Sequence, residues 1–200
     1  MSTSGVVIVA NGGANIASLQ FALARLNVPS RVSSDPDAIS RASHVILPGV
    51  GAAANAMDRL CRGGLDDLIP KLTQPVLGIC LGMQLLFDSS DEGNTRCLGI
   101  IPGRATRFTE ARGRPVPHIG WNTVEIGRAS PLVAGMRGDE YAYFVHSYAL
   151  PVTDATVASA QYGAPFAACV EWRNFFGAQF HPERSAAAGA RILRNFLAIG

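Results

Sequence analysis

The stretch Pro75-Val76-Leu77-Gly78-Ile79-Cys80-Leu81-Gly82 decides the fold, because it runs from an apolar, strand-like segment into a cysteine flanked by glycines. Glycines two residues before and two after a nucleophile are typical of a nucleophile elbow, in which a strand turns sharply into a helix. Cys80 would then lie at a helix N-terminus, where unpaired N–H groups favour a thiolate. Taken alone, the pattern fits equally well a buried, unreactive cysteine at the end of a core strand.

The segments around this elbow predict an α/β fold. Before it, apolar runs alternate with helical patterns, which is typical of βαβ units and a parallel sheet. This half contains predicted strands at 5–10, 31–33 and 44–47 and predicted helices at 16–26, 52–62 and 65–72. Beyond Gly99 the predicted elements are strands at 103–108, 121–126, 141–150, 156–162, 166–172 and 175–180, then a helix at 186–197. We therefore expect one domain over residues 1–200, with a mostly parallel central sheet flanked by helices and an additional, mostly antiparallel β region.

Composition excludes several classes of function. A net charge of +2, with no basic block interleaved with aromatic residues, gives no reason to expect a nucleic-acid partner. The first ten residues lack the pattern of a signal peptide, and no apolar run reaches the roughly 18 residues that would span a membrane. The four cysteines occur singly and without histidines at zinc spacing. We therefore expect reduced thiols, a cytoplasmic protein, no metal and no cofactor.

A thiolate nucleophile needs a base, and the base needs a group that orients it. His181-Pro182-Glu183 directly follows the apolar segment 175–180 and supplies both. His181 would take the thiol proton and later deliver it to the leaving group, while Glu183 would hold the imidazole in the required tautomer. A lone histidine at a strand end is more often hydrogen-bonded to backbone. The combination with the cysteine elbow favours a Cys80–His181–Glu183 triad.

The other histidines compete for the same role. His44 opens a purely apolar strand, so a structural role is expected there. His118 and His146 lie in polar, aromatic segments without a carboxylate two residues away, and we expect them to be ligand or interface contacts before core residues.

An acyl-transfer site also needs donors for the oxyanion. The backbone N–H of Leu81, just after the cysteine, is one candidate. The loop Pro48-Gly49-Val50-Gly51 is the expected source of the second, from Val50 or Gly51, because its glycines allow close approach and a peptide flip. An ordinary strand-to-helix turn is the alternative.

Taken together, these segments resemble the class I (triad) glutamine amidotransferases and, within that family, the glutaminase subunits of imidazole glycerol phosphate synthases. The resemblance runs in order over nearly the whole chain. Beyond the glycine loop, the elbow and the His181 segment, it is carried by two more specific motifs. These are Pro117-His118-Ile119-Gly120-Trp121-Asn122 and Tyr143-Phe144-Val145-His146-Ser147-Tyr148.

The resemblance implies that Cys80 attacks the carboxamide of L-glutamine and forms a glutamyl thioester, which water hydrolyses. The released ammonia would pass to a separate (β/α)8-barrel cyclase subunit in a heterodimer, for histidine biosynthesis. It also implies that the 48–51 loop switches glutaminase activity on when the cyclase binds its own substrate. The implied glutamine contacts are Gly51, Gln84, Glu92, Ser147 and Tyr148. The implied partner contacts are Trp121, Asn122 and Arg184.

The chain departs from the family pattern in two places. The turn at residues 10–15 lacks the usual aspartate and aromatic residue, which leaves any ligand or interface role for this turn open. Arg184 stands where lysine is usual, and guanidinium geometry differs from that of an ammonium group.

Three other functions remain open at this point. The nearest is the glutaminase subunit of another synthase, for example the one that makes pyridoxal phosphate, although it would lack the 117–122 motif. A free-standing cysteine hydrolase or peptidase is the second, and it would need neither that motif nor a partner surface. The third is a non-catalytic binding module, which would have no need of Cys80, His181 and Glu183 together.

Overall fold

Strands and helices alternate through the first half of the computed structural model, which describes residues 5–12 and 16–200. The strands are β1 (Val6–Val9), β2 (Ser30–Ser33), β3 (His44–Gly49), β4 (Val76–Cys80), β5 (Phe87–Ser90), β6 (Thr95–Arg96), β7 (Ile101–Arg107), β8 (His118–Ile126), β9 (Glu140–His146), β10 (Tyr148–Ala149), β11 (Thr156–Tyr162), β12 (Ala164–Trp172) and β13 (Phe175–Ala178). The helices are α1 (Ile16–Arg25), α2 (Pro36–Ser40), α3 (Ala53–Arg62), α4 (Leu65–Leu68), α5 (Leu81–Leu85) and α6 (Ala186–Leu197). Short 3₁₀ turns lie at Ile69–Lys71, Glu92–Asn94, Pro131–Val133 and Pro182–Arg184.

A nine-stranded sheet in the order β2-β1-β3-β4-β13-β12-β11-β8-β9 carries the fold. The pairs from β2 to β13 are parallel, and the pairs from β13 to β9 are antiparallel. A second, four-stranded sheet has the order β10-β7-β5-β6. The predicted α/β class, with a parallel core and an antiparallel region, is confirmed. Most of the antiparallel strands, however, continue the central sheet.

The central strands are buried because helices cover both faces of the sheet. Every residue of β4 is buried, as expected for an inner parallel strand. On one face, the apolar residues of α1 and α6 pack against the sheet, and on the other face those of α3, α4 and α5 do so. Among the described residues, no helix is long and apolar enough to cross a membrane.

Strand register brings three segments to one edge of the sheet. Gly49 at the end of β3 lies opposite Cys80 at the end of β4, and Ala178 of β13 lies opposite Ile79. Since parallel strands end at the same edge, the 48–51 loop, the cysteine and the turn after β13 meet there. Ligands bind at this carboxyl edge in open α/β sheets.

Several element boundaries differ from those predicted. The segment 141–150, predicted as one strand, breaks at Ser147, so that β9 belongs to the large sheet and β10 to the small one. The helix predicted at 65–72 ends as α4 and a 3₁₀ turn, because Pro70 provides no N–H to continue it. The elements α2, β5 and β6 were not predicted. The turn at residues 10–15 lies partly outside the described residues.

Candidate active site

The chain turns from strand to helix at Cys80, the residue between β4 and α5. Its φ of 53° and ψ of −113° are rare for a residue with a side chain. Such strain persists only where the surrounding structure fixes it. Here a Cβ at Gly82 would overlap the Leu47 carbonyl oxygen, and a Cβ at Gly78 would lie 2.7 Å from the Gly82 oxygen. Close packing therefore requires both glycines of the elbow.

His181 and Glu183 lie on the turn after β13, and His181 Nδ1 is 2.9 Å from Glu183 Oε1. Because an ionised carboxylate only accepts hydrogen bonds, Nδ1 donates and Nε2 is left for another partner. Nε2 makes no hydrogen bond to any described residue, and the imidazole lines the same pocket as the Cys80 thiol. Both side chains are largely enclosed, with 10% of the His181 side chain and 6% of the Glu183 side chain exposed.

The electrostatics of this group favour a protonated imidazole. Burial lowers the pKa of His181, but its interactions with Cys80 and Glu183 outweigh burial and raise the pKa to about 10. At neutral pH the ring therefore holds a proton beside the sulfur. A thiol, a base and a carboxylate that orients the base are the components of covalent acyl transfer.

A buried serine ties the His181 turn to strand β9. Ser185 is fully buried, its hydroxyl donates to the His181 carbonyl (2.7 Å), and it accepts from the Tyr143 N–H (2.9 Å). The His181 N–H in turn donates to the Tyr143 carbonyl (3.0 Å). These three bonds fix the base relative to the sheet. No role was predicted for Ser185, although its position two residues after Glu183 was a signal.

The 48–51 loop lies against the elbow. A Cβ on Gly49 would lie 2.5 Å from the Gly82 nitrogen, so only glycine allows this approach. Gly51 has a φ of +84°, and a Cβ there would have no atom within 4 Å. Val50, Gly51 and Leu81, the predicted oxyanion residues, all line the pocket that contains Cys80.

This pocket has a volume of about 460 Å³. It contains the predicted triad, the predicted oxyanion residues and every predicted glutamine contact. Pro117 and Val145 also line it, and neither was predicted as a pocket residue, although both lie inside the quoted motifs. The predicted residues that line it are Val50, Gly51, Cys80, Leu81, Gln84, Glu92, Ser147, Tyr148, His181, Glu183 and Arg184.

Two of the predicted glutamine contacts also have structural roles. Gln84 is buried, and its Nε2 donates to the Tyr148 carbonyl (2.8 Å) and to Gln179 Oε1 (3.0 Å). Glu92 Oε2 accepts from the Ala53 N–H (2.7 Å), the first residue of α3. Glu92 thereby caps a helix whose own N-cap residue offers no side-chain bond.

The three predicted partner contacts fall into two groups. Trp121 is 52% exposed and packs edge-on against Tyr143, and the Arg184 guanidinium lies 4.9 Å from the centre of the same tyrosine ring. Asn122 is half-buried, and its amide bonds to the Gln161 carbonyl and the Thr123 N–H. Trp121 and Arg184 therefore form one surface, while the Asn122 side chain ties β8 to β11.

The remaining histidines are structural or adjoin the pocket. His44 bonds to the Ile199 carbonyl (2.9 Å), in agreement with the predicted structural role. His118 and His146 are both buried and pair at 3.3 Å. His146 also lines the pocket, but His118 stacks between Phe144 and Tyr162, so the expectation of an interface or ligand contact was wrong for His118. Within residues 5–12 and 16–200, no cluster of three or more histidine, cysteine, aspartate or glutamate side chains has metal-binding geometry.

Comparison with known proteins gives the family. The model of the glutamine amidotransferase class-I family matches residues 7–199. The chain is 52% identical over 192 residues to the imidazole glycerol phosphate synthase subunit HisH of Xylella fastidiosa (strain Temecula1 / ATCC 700964), with 96% of each chain covered. It is 45% identical over 201 residues to the subunit of the same name from Vibrio cholerae serotype O1, with 98% of each covered.

Solved structures share the fold at low sequence identity. A putative GMP synthase protein from Thermoplasma acidophilum superimposes with a TM-score of 0.75 at 19% identity, covering 98% of this chain and 94% of that one. PurLQS from Thermotoga maritima gives a TM-score of 0.71 at 19% identity, covering 96% of each chain. From the family match and the full-length identities, the chain belongs to the class-I glutamine amidotransferase family and, within it, to the imidazole glycerol phosphate synthase HisH subunits.

Proposed function

We propose that this chain is the glutaminase subunit of an imidazole glycerol phosphate synthase. It would hydrolyse L-glutamine to glutamate and ammonia and deliver the ammonia to a cyclase subunit. That subunit would form imidazole glycerol phosphate and aminoimidazole carboxamide ribotide in histidine biosynthesis. The observation that carries the proposal is the buried Cys80–His181–Glu183 group at a pocket, in a chain 52% identical to a HisH subunit.

In the first half of the reaction, the Cys80 thiolate attacks the carboxamide carbon of glutamine. The carbonyl oxygen becomes an oxyanion, which the backbone N–H groups of Leu81 and of Val50 or Gly51 would stabilise. His181, protonated at neutral pH, gives its proton to the leaving nitrogen, and ammonia departs as the C–N bond breaks. A glutamyl thioester on Cys80 remains.

In the second half, water replaces the ammonia. His181, now neutral, takes a proton from the water as its oxygen attacks the thioester carbon. The tetrahedral intermediate collapses, the C–S bond breaks, and glutamate leaves, its new carboxyl group giving its remaining proton to solvent. The thiolate and the imidazolium are restored, with Glu183 keeping the ring in one tautomer throughout.

The pocket offers suitable contacts for an amino acid. Glu92 places a carboxylate in it, which would attract the ammonium group of the substrate, and Gln84 presents the acceptor oxygen that its internal hydrogen bonds leave free. Ser147, between β9 and β10, and Tyr148, the first residue of β10, also line the pocket. With Gly51, these residues are the proposed glutamine contacts.

A surface beside the pocket would receive the cyclase. We call it the hairpin face and define it by Ile119, Trp121, Tyr141 and Tyr143, which share one side of the β8–β9 hairpin. Ile119 and Tyr141 are each 60% exposed. Contiguous exposed apolar groups of this kind mark protein interaction sites. Arg184 joins the hairpin face to the pocket, so a partner bound there would lie where ammonia is released.

We further propose that the partner is a (β/α)8-barrel cyclase and that the two chains form a heterodimer. The large sheet, which joins the parallel and antiparallel halves, supports one domain over residues 1–200. The four cysteines are free, which supports a reducing compartment such as the cytoplasm.

The 48–51 loop is the proposed switch. Its last residue, Gly51, has a left-handed φ and no atom packed around the Cβ position, and a glycine allows the backbone angles that a peptide flip requires. In the chain alone the donor would point away from the oxyanion, and the loss of one such donor costs about 2.7–4 kcal/mol.

A glutaminase assay with and without a coexpressed cyclase tests the proposal. We expect slow hydrolysis by the isolated chain, stimulation when the cyclase and its nucleotide substrate are added, and loss of activity by about 10⁴-fold or more in Cys80→Ala. The Cys80→Ala chain should still fold and bind the cyclase. Equal rates with and without the partner would indicate a free-standing hydrolase, and near-normal turnover by Cys80→Ala would exclude the proposed nucleophile.

A further inference from the structure

A fully buried amide lies beside the proposed nucleophile. Gln179 follows β13, and because Ala178 lies opposite Ile79 in the parallel pair of β13 and β4, Gln179 is level with Cys80. Its Nε2 is 3.8 Å from the Cys80 sulfur. The donors and the acceptor of a buried amide need hydrogen-bond partners. One partner of Gln179 is the Cys80 sulfur, the proposed nucleophile.

Hydrogen-bond chemistry fixes which end of the amide faces the sulfur. The Tyr148 carbonyl can only accept, so the Gln84 atom 2.8 Å from it is the amide nitrogen. That nitrogen also donates to Gln179 at 3.0 Å, so the Gln179 atom it meets is Oε1. Gln179 consequently presents its N–H groups to Cys80.

The Tyr148 carbonyl, which accepts from Gln84, also accepts from a histidine. His146 Nδ1 is 2.8 Å from the Tyr148 carbonyl and therefore donates, which leaves Nε2 to accept from His118 Nδ1 at 3.3 Å. Burial lowers the pKa of His118 to about 4 and is the main cause that lowers the pKa of His146 to about 3. Both rings are neutral at neutral pH, as this pattern of donors and acceptors requires.

We infer that Gln179 is a positioning residue for the nucleophile, whose amide N–H holds the Cys80 sulfur while its amide oxygen holds Gln84. The inference rests on the proposed function for its catalytic meaning. The sulfur has a different partner in each protonation state: the thiol donates to the Val145 carbonyl at 3.8 Å, and the thiolate accepts from Gln179. An N–H donor favours the charged form of the group it contacts.

Several charged or titratable groups also face the sulfur or its pocket. His181, with Glu183 behind it, lies on the turn after β13, and His146 lies on β9. Glu92 and Arg184 line the outer part of the pocket. Since a Gln179 substitution changes none of these side chains, a change in the reactivity of Cys80 would report the loss of the Gln179 amide.

The test measures alkylation of Cys80 by iodoacetamide against pH in the isolated full chain, read by mass spectrometry. A Cys61→Ser background removes the exposed cysteine. Gln179→Met keeps the length of the side chain but has no N–H donor. We expect the midpoint of its pH profile to rise by about 0.5–1 unit and the rate at neutral pH to fall by about 3- to 10-fold. If the variant and the Cys61→Ser chain that retains Gln179 gave the same pH profile, the inference would be overturned.

Asn174→Ala is the matched control. Asn174 lies just before β13 and donates to the carbonyls of Leu72 and Gln74 (2.8 and 2.9 Å), so its loss removes two amide hydrogen bonds without touching the sulfur. The control should unfold at a lower temperature and keep its alkylation profile. If its profile moved as far as that of Gln179→Met, the effect would be general destabilisation and the inference would fail.

Gln179→Asn serves if the methionine variant does not fold. It retains a buried amide but withdraws it from the sulfur by one methylene, so the same upward movement of the midpoint is expected, and an unchanged midpoint would again overturn the inference. The assay uses neither glutamine nor a partner. If the proposed function were wrong, glutaminase activity would be absent, but the alkylation profiles could still be measured and compared.

Discussion

The Cys80 elbow and the 48–51 loop meet at one pocket but are held in place by different means. At the elbow, a Cβ on Gly82 would overlap the Leu47 carbonyl oxygen and a Cβ on Gly78 would lie 2.7 Å from the Gly82 oxygen. At the end of the loop, a Cβ on Gly51 would have no neighbour within 4 Å. Packing fixes the elbow, whereas backbone conformation alone requires glycine at position 51.

This difference separates two tasks of the proposed mechanism. A nucleophile in a strained conformation needs rigid surroundings, because strain is kept only where neighbours oppose its release. A switch needs a segment with two accessible arrangements. We propose that the loop changes its arrangement at Gly51, while the Ala53 N–H just beyond it donates to Glu92. The pocket thus combines a part fixed by packing with a loop in which packing does not fix Gly51.

Gly82→Ala should have the largest effect, because it breaks the fixed part. The added methyl group would overlap backbone, which no side-chain rotation relieves. We expect the free energy of unfolding to fall by about 3 kcal/mol or more, and the melting temperature of the chain to fall by about 6–12 °C. Gly127→Ala is the control, because its Cβ would meet its nearest atom at 3.7 Å. Equal melting temperatures for the two variants would contradict the packing argument.

Gly51→Ala should have a smaller effect on stability and a selective effect on activity. A residue with a side chain at a φ of +84° costs about 1–2 kcal/mol. We also expect partner-stimulated glutamine hydrolysis to fall by about 10- to 100-fold, since the oxyanion donor is displaced.

Gly64→Ala gives the matched comparison for that variant. Gly64 has a φ of +63°, has equally open surroundings and does not line the pocket. It should lose similar stability in urea unfolding and keep its stimulated activity. Equal losses of activity in both variants would show that the Gly51 effect comes from the fold and not from the site.

Acid should destabilise the fold through the buried pair of His118 on β8 and His146 on β9. Since the pKa of His118 is lowered to about 4 in the folded chain, its contribution to stability is complete above pH 6.5, the ordinary value, and is lost as the pH falls through 4. His118→Phe keeps the stacking but takes up no proton. Between pH 6.5 and 4.5 its free energy of unfolding should fall by about 2 kcal/mol less than that of the native chain. If urea unfolding showed the same loss of stability between the two pH values in His118→Phe and in the native chain, the prediction would be contradicted.

Local patterns in the sequence predicted the parts of the site that depend on neighbouring residues. The elbow follows from the spacing of Gly78, Cys80 and Gly82, and the His181–Glu183 pair follows from two residues on one turn. Alternating periodicities also predicted the α/β class. The prediction of one strand at 141–150 was wrong. The residues there favour β structure throughout, and this composition does not show that the chain passes from one sheet to the other at Ser147.

The missed contacts join residues that are distant in sequence. Gln179 meets Cys80 across 99 positions, and Glu92 meets Ala53 across 39. The first depends on β13 lying beside β4, an order that no local pattern in either strand specifies. The signal available for Gln179 was a polar residue inside an apolar segment, which identifies a buried amide but not its partner.

Cys61 adds a practical consequence to this arrangement. It is the exposed thiol among four cysteines, and it lies on α3, the helix that begins two residues after Gly51. In a Cys80→Ala chain, a fluorophore or spin label would therefore attach there without any further engineering. Such a label would follow the helix behind the loop while a partner binds, by spectroscopy and without any glutamine turnover.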